Sequence, residues 1–140
     1  MKKIAALLFA AAFVLGLCSC SGGKDGNDAD KTYTVGICQL TQQPALDAAT
    51  EGFKAALTEK LGDKVSFDEK NASNDSNACS TIVNGFVSKN VDLILANATP
   101  ALQAAASATT EIPILGTSVT EYGVALKIDD FNGTVGGNIS

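Results

Sequence analysis

From Tyr33 to Ala48 the sequence runs Tyr-Thr-Val-Gly-Ile-Cys-Gln-Leu, then Thr-Gln-Gln, then Pro-Ala-Leu-Asp-Ala. It reads as a buried strand that feeds a helix through a short polar loop. Val35, Ile37 and Leu40 favour a strand, and Pro44 suits the first helical position, where its missing N–H would find no partner anyway. The unit recurs down the chain, and that recurrence constrains the fold more than any other feature. Strands alternating with helices build an open parallel sheet, whose ligands bind outside the carboxyl ends of the strands.

The spacing predicts a first helix from Pro44 to Leu61, with Leu46, Ala49, Phe53, Ala56 and Leu57 on one face and Gly62 as its C-terminal cap. Val65 and Phe67 alternate with polar residues, as in a half-exposed edge strand. Asn71 to Asn74 form a polar turn, and Asp75 or Ser76 can cap a second helix that runs to Lys89. A third strand is expected over Val91–Ala96, where Leu93-Ile94-Leu95 is apolar without alternation, the mark of a strand covered on both faces. Thr99 is the expected N-cap and Pro100 the first residue of an Ala-rich third helix. A fourth strand spans Ile114–Val119. Beyond it the pattern weakens: Val124–Ile128 reads as a short strand or a turn, and Val135–Ile139 as the start of another strand.

Right-handed crossovers then give an α/β fold, a three-layer sandwich with a parallel doubly wound sheet in strand order 2-1-3-4, which puts the half-polar second strand at an edge. The chain of 140 residues is long enough for one domain and one core.

The first thirty-two residues read differently. Lys2 and Lys3 precede an apolar run, Ile4–Leu17, too short to span a bilayer comfortably but suited to a signal-peptide core. The run ends in Leu17-Cys18-Ser19-Cys20 and Ser-Gly-Gly, which resembles a bacterial lipobox. On that reading residues 1–19 are a lipoprotein signal peptide and Cys20 is the lipidated new N-terminus, so the protein is exported and anchored at the outer face of the bacterial cell membrane or in the periplasm. Cys18 is the weaker choice because bulky Leu17 would occupy the cleavage position. The alternative is an ordinary secretory signal with two incidental cysteines. Residues 20–32, rich in Gly, Asp, Asn and Lys, cannot form a core and read as a flexible tether, which leaves 33–140 as the folded lobe.

Composition excludes several chemistries. There is no His, so Ser-His-Asp and Cys-His catalysis and the common His-containing metal sites are ruled out. A net charge of −5, with no Arg, is no nucleic-acid footprint. Gly133 and Gly136-Gly137 precede no evident helix and lack the lysine of a phosphate loop. Asp129-Asp130 reads as a turn, and Cys38 and Cys79 fit buried free thiols better than a bridge. A receiver domain would want an Asp where Asn97 ends the third strand. No enzyme activity, cofactor or metal is expected.

What remains is a set of neutral hydrogen-bonding residues just past the strand ends. Gln39, Thr41, Asn71, Asn97, Thr99, Ser118 and Thr120 are the candidate ligand-binding residues. Two helix N-termini, at Pro44 and Pro100, aim backbone N–H groups at the same crevice, where a ligand carboxylate would be held without any arginine. Taken singly, each side chain could equally well cap a helix or turn; their coincidence across four strand ends favours binding.

These residues carry a resemblance. Val35-Gly36-Ile37-Cys38-Gln39-Leu40 with Pro44-Ala45-Leu46-Asp47-Ala48, Lys70-Asn71-Ala72, Phe86-Val87-Ser88, Asp92-Leu93-Ile94-Leu95-Ala96, Ala98-Thr99-Pro100-Ala101, Ile112-Pro113-Ile114 and Gly136-Gly137-Asn138-Ile139 resemble the tryptophan-transporter-type substrate-binding lipoproteins of ABC importers, over about Val35 to Ser140. The resemblance implies a type I periplasmic-binding-protein lobe. Two such lobes close on a small ligand, in this family often an aromatic amino acid, and hand it to a membrane permease. The chain departs from the family pattern at Gln43, where His is frequent, and at Glu121-Tyr122, where Asp-Pro is frequent. Tyr122 could stack on an aromatic ligand or cover the sheet edge, and the second is favoured slightly.

The family runs to about twice this length, so the chain is expected to be a first lobe, truncated at its C-terminus, with little high-affinity binding of its own because pockets normally bury most of a ligand. The main alternative is an extracellular ligand-sensing module of a signalling system. A flavodoxin-like enzyme domain is a poor third, lacking a phosphate loop and catalytic residues.

Overall fold

The computed structural model describes residues 31–140, so the signal peptide, Cys20 and most of the tether lie outside the described residues. Strand β1 (Tyr33–Gln39) leads into helix α1 (Pro44–Leu61), then a single 3-10 turn and β2 (Val65–Asn71). Helix α2 (Ser76–Ser88), β3 (Leu93–Asn97), α3 (Thr99–Ala108), β4 (Ile114–Thr117) and the short α4 (Tyr122–Leu126) follow. The sheet is parallel throughout, in the order β2-β1-β3-β4, as expected from the polar pattern of β2.

Strand alternation divides the core into two layers. Val35, Ile37 and Leu95 face one way, packing with Phe53 and Leu57 of α1 and with Val65, Phe67 and Leu115. Cys38, Ile94, Ala96 and Ile114 face the other way, against Cys79, Val83 and Phe86 of α2 and Ala101, Leu102 and Ala105 of α3. At Gly36 the close approach has a visible reason: a Cβ there would lie 2.6 Å from the Phe86 ring, so only glycine lets α2 seat its one fully buried aromatic residue on β1. Small alanines do the same for α3.

Several local expectations are corrected. Ala56 is exposed, and the one fully buried residue of α1 is the polar Thr50. Val91 is buried but precedes its strand, because Asp92 intervenes: its carboxylate accepts the Thr34 N–H at 2.8 Å, and its N–H donates to the Thr34 carbonyl. Thr99 does not cap α3. The cap position is Ala98, at φ 98° and ψ 159°, and no side chain bonds the first turn. Strand β4 stops at Thr117 because Ser118 turns left-handed, at φ 56°. Val124 belongs to a helix rather than a strand, started by the Glu121 carboxylate, which accepts from the N–H groups of Gly123 and Val124. Of Val135–Ile139, only the end reaches the sheet: Ile139 bridges Ile114 in parallel, the Asn138 carbonyl accepts the Ile114 N–H at 2.7 Å, and the Asn138 side-chain amide donates to the Thr109 and Ile112 carbonyls.

Candidate functional site

The crossovers bring the carboxyl ends of all four strands to one face, so the candidate residues do assemble, but at two depths. Gln39 and Asn97 end the central strands β1 and β3 and are paired in register. Both are buried, at 4% and 0% exposure, under the first turns of α1. The Gln39 amide donates to the Thr41 carbonyl at 2.9 Å and to the Asp47 carboxylate at 2.6 Å, and its oxygen accepts from the Thr50 hydroxyl at 2.6 Å. Asn97 Nδ2 donates to the Leu46 carbonyl at 2.8 Å and to Thr50 Oγ1 at 2.9 Å, with Gln39 Oε1 at 3.3 Å. Neither side chain is presented to the crevice in this structure: they are spent beneath it. Asn97 Oδ1 alone, among the described residues, is a buried side-chain polar atom without a partner, a condition that costs about 1–3 kcal/mol. Such atoms in native folds call for a specific reason.

Above this layer lie Thr41 and Thr99, both half-buried, and Ser118 and Thr120, both exposed. The hydroxyls of these residues take no part in the lobe's own side-chain hydrogen bonds among the described residues. Asn71 is different. Its side chain accepts the Ser73 N–H at 2.7 Å, closing the turn after β2, so its oxygen is already engaged. Two non-glycine residues in the left-handed region, Ala98 and Ser118, stand immediately after β3 and β4. Backbone strain of this kind clusters where geometry serves a ligand.

The helix ends differ in a way the sequence did not announce. Asp75 caps α2 and Glu121 caps α4 through their side chains. Helices α1 and α3, whose N-termini point at the strand-end face, have no side-chain cap, and each carries proline in its first turn. Their first-turn N–H groups therefore remain donors at the positive ends of two helix dipoles. That pattern accommodates an anion in a chain without arginine, with the Asp47 carboxylate of the first turn of α1 engaged by Gln39.

Tyr122 lies over Gly116 of β4, where any Cβ would collide with its hydroxyl, and burial raises its phenol above the ordinary value of 10.0. It covers the sheet, as the sequence slightly favoured. A cavity of about 460 Å³ opens between Tyr122, Phe131, Val135 and Ile139, and one of about 480 Å³ between α3 and α4 at Gln103, Ala106, Ala125 and Leu126. Neither is lined by a candidate binding residue. Cys38 and Cys79 are free and buried, and among the described residues no group of three or more His, Cys, Asp or Glu could hold a metal ion.

A sequence model described as ABC transporter substrate binding protein matches residues 34–140, the whole described lobe bar its first residues. The chain belongs to that family. A curated relative, a tyrosine-binding protein of Clostridioides difficile, is 39% identical over 153 residues, covering 97% of this chain and 44% of its own. The ligand-free, open structure of a substrate binding protein with adhesive properties from Clostridium difficile matches with a TM-score of 0.71 at 39% identity, over 78% of this chain and 38% of that one. A Streptococcus pneumonia ABC domain in complex with L-Trp matches with a TM-score of 0.71 at 29% identity, over 79% of this chain and 38% of that one. The chain thus spans less than half the length of these relatives. Of the two family departures read from the sequence, Gln43 precedes α1 without capping it, and Glu121 serves as the cap of α4.

Proposed function

We propose that residues 33–140 form one wall of a cleft that binds an amino acid, in a solute-binding lipoprotein that delivers its ligand to an ABC permease. The observation that carries the reading is the juxtaposition of two uncapped helix N-termini, α1 and α3, with the hydroxyls of Thr41, Thr99, Ser118 and Thr120 at the strand ends. Helix N–H groups suit a ligand carboxylate, and neutral hydroxyls suit its remaining polar groups without adding charge. Relatives described as binding tyrosine and L-Trp support an aromatic amino acid as the ligand class.

In this reading Thr41, Thr99, Ser118 and Thr120 touch the ligand, and Gln39 and Asn97 act from below. Asn71 shapes the neighbouring turn. A second lobe closes over the wall, buries the rest of the ligand and opens at the permease, with no covalent step. Signal peptidase cleavage before Cys20 and its acylation tether the lobe to the outer face of the membrane, through residues 20–32. More than one acyl chain is needed for stable anchoring.

Ligand-observed saturation-transfer NMR on the 140-residue chain tests the reading. Transfer to L-tyrosine and L-tryptophan is expected, with little to a hexose control. Because one wall buries only part of a ligand, the dissociation constant is expected to be weaker than about 1 mM, or about −4 kcal/mol. Absence of transfer to either amino acid, or equal transfer to the hexose, would overturn it.

A further inference from the structure

The polar layer joins three buried side chains, Gln39, Thr50 and Asn97, to the half-buried Asp47, and two of these four, Asp47 and Thr50 of α1, carry no expected role. We infer that Asp47 and Thr50 are positioning residues: with Gln39 and Asn97 they form a clamp that fixes the Leu40–Gln43 loop and the first turns of α1 before a ligand arrives. This rests on the proposed ligand wall, since Thr41 is one of its contacts.

The connections make the case. Gln39 Nε2 reaches the Thr41 carbonyl in the loop and the Asp47 carboxylate in the helix at once, at 2.9 and 2.6 Å. Thr50, only 1% exposed, donates to Gln39 Oε1 and accepts from Asn97 Nδ2, so its hydroxyl links β1, β3 and α1. Asn97 Nδ2 also holds the Leu46 carbonyl, one turn before Thr50. The backbone completes the knot. The Leu40 N–H donates to the Asn97 carbonyl at 3.2 Å, and the Asp47 N–H to the Gln43 carbonyl at 2.8 Å. The Ala72 N–H donates to the Gln39 carbonyl, which ties in the turn after β2.

An apolar residue at 50 would fill the space as well, so the hydroxyl is what distinguishes this position. A buried hydroxyl among amides must be fully engaged to be tolerated, and once engaged it admits one arrangement of the loop. Fixing the wall in advance spares the ligand the ordering cost of doing so.

Hydrogen exchange at the Leu40 and Asp47 amides tests the clamp without any ligand, with the α3 amides of Ala104 and Ala105 as reference. Thr50→Val is expected to speed both amides roughly two- to tenfold relative to α3, the ratio that one net hydrogen bond supplies, and Thr50→Ser to restore them. Should Thr50→Val speed α3 equally, the helix-start pair decides: Asp47→Ala is expected to speed Leu40, and Asp47→Asn, which keeps an acceptor for Gln39, is not. Exchange at the wild-type rate in Thr50→Val and Asp47→Ala, or no rescue by Ser and Asn, overturns the inference. L-tyrosine added to the wild-type chain separates the two claims. Silence there overturns the ligand reading and leaves the exchange result standing. Where the wild type responds, an unchanged response in Thr50→Val overturns the positioning role.

Discussion

Cys38 of β1 and Cys79 of α2 sit in the same core layer, both fully buried and both free. Burial pushes both thiols above their ordinary value of 9.0, and each neighbour's sulfur is a secondary influence on the other. A thiolate is the reactive form, so both should be inert while the lobe is folded. Alkylation followed by peptide mapping is expected to leave the Cys38 and Cys79 peptides unlabelled in buffer and fully labelled in denaturant. Labelling of either in buffer would show that the β1–α2 contact opens readily. The same scale shows what the sequence could and could not disclose about the site. Gln39 and Asn97 were legible as strand-end polar residues, because hydrophobic strands stop there. Their depth was not legible, since it depends on α1 lying across both strand ends. Thr50 escaped for a related reason: a threonine in a run of alanine and leucine carries no period of its own, and only the neighbouring amides make its burial favourable.

At the scale of elements, glycine placement decides which faces can meet. Gly36→Ala would press a methyl group against the Phe86 ring at 2.6 Å, in a core that cannot yield without moving α2. The overpacking is expected to cost about 1–3 kcal/mol in chemical denaturation. Gly52→Ala, in an exposed part of α1 with nothing within 4 Å, is expected to gain about 0.5–1 kcal/mol. If Gly36→Ala proved neutral, the close seating of α2 on β1 would be wrong.

A second contact joins Lys89, just past α2, to the Asp68 carboxylate of β2 at 2.6 Å. The hydrogen bond from Lys89, with Lys70 beside it, holds the Asp68 carboxyl below its ordinary value of 3.8. A depressed acid stabilises the fold above its unfolded pKa and ceases to do so as pH falls through its folded value. Lys89→Ala should therefore lower the melting temperature modestly at pH 7, and the gap should close below pH 3.8. A gap that persists in acid would assign the Lys89 effect to packing of its stem. Strand order was readable from the half-polar pattern of β2, whereas α4 was not, because Tyr122–Leu126 is too short for a helical period to emerge and depends on the Glu121 cap.

For the whole molecule, the sheet gathers its polar residues at one end and separates them by depth. A buried amide layer underlies a rim of half-buried and exposed hydroxyls and two helix ends without side-chain caps. On the proposed reading, such a wall binds weakly alone and strongly when a second wall covers it, because pockets normally bury most of a ligand. The most direct test is to follow the backbone amide shifts of the labelled chain during titration with L-tyrosine. Shifts are expected to be confined to Thr41–Gln43, Thr99, Ser118 and Thr120, without saturation below about 1 mM. Shifts centred instead on the cavity between α3 and α4, or no shifts at the strand ends at any concentration reached, would contradict the proposed site.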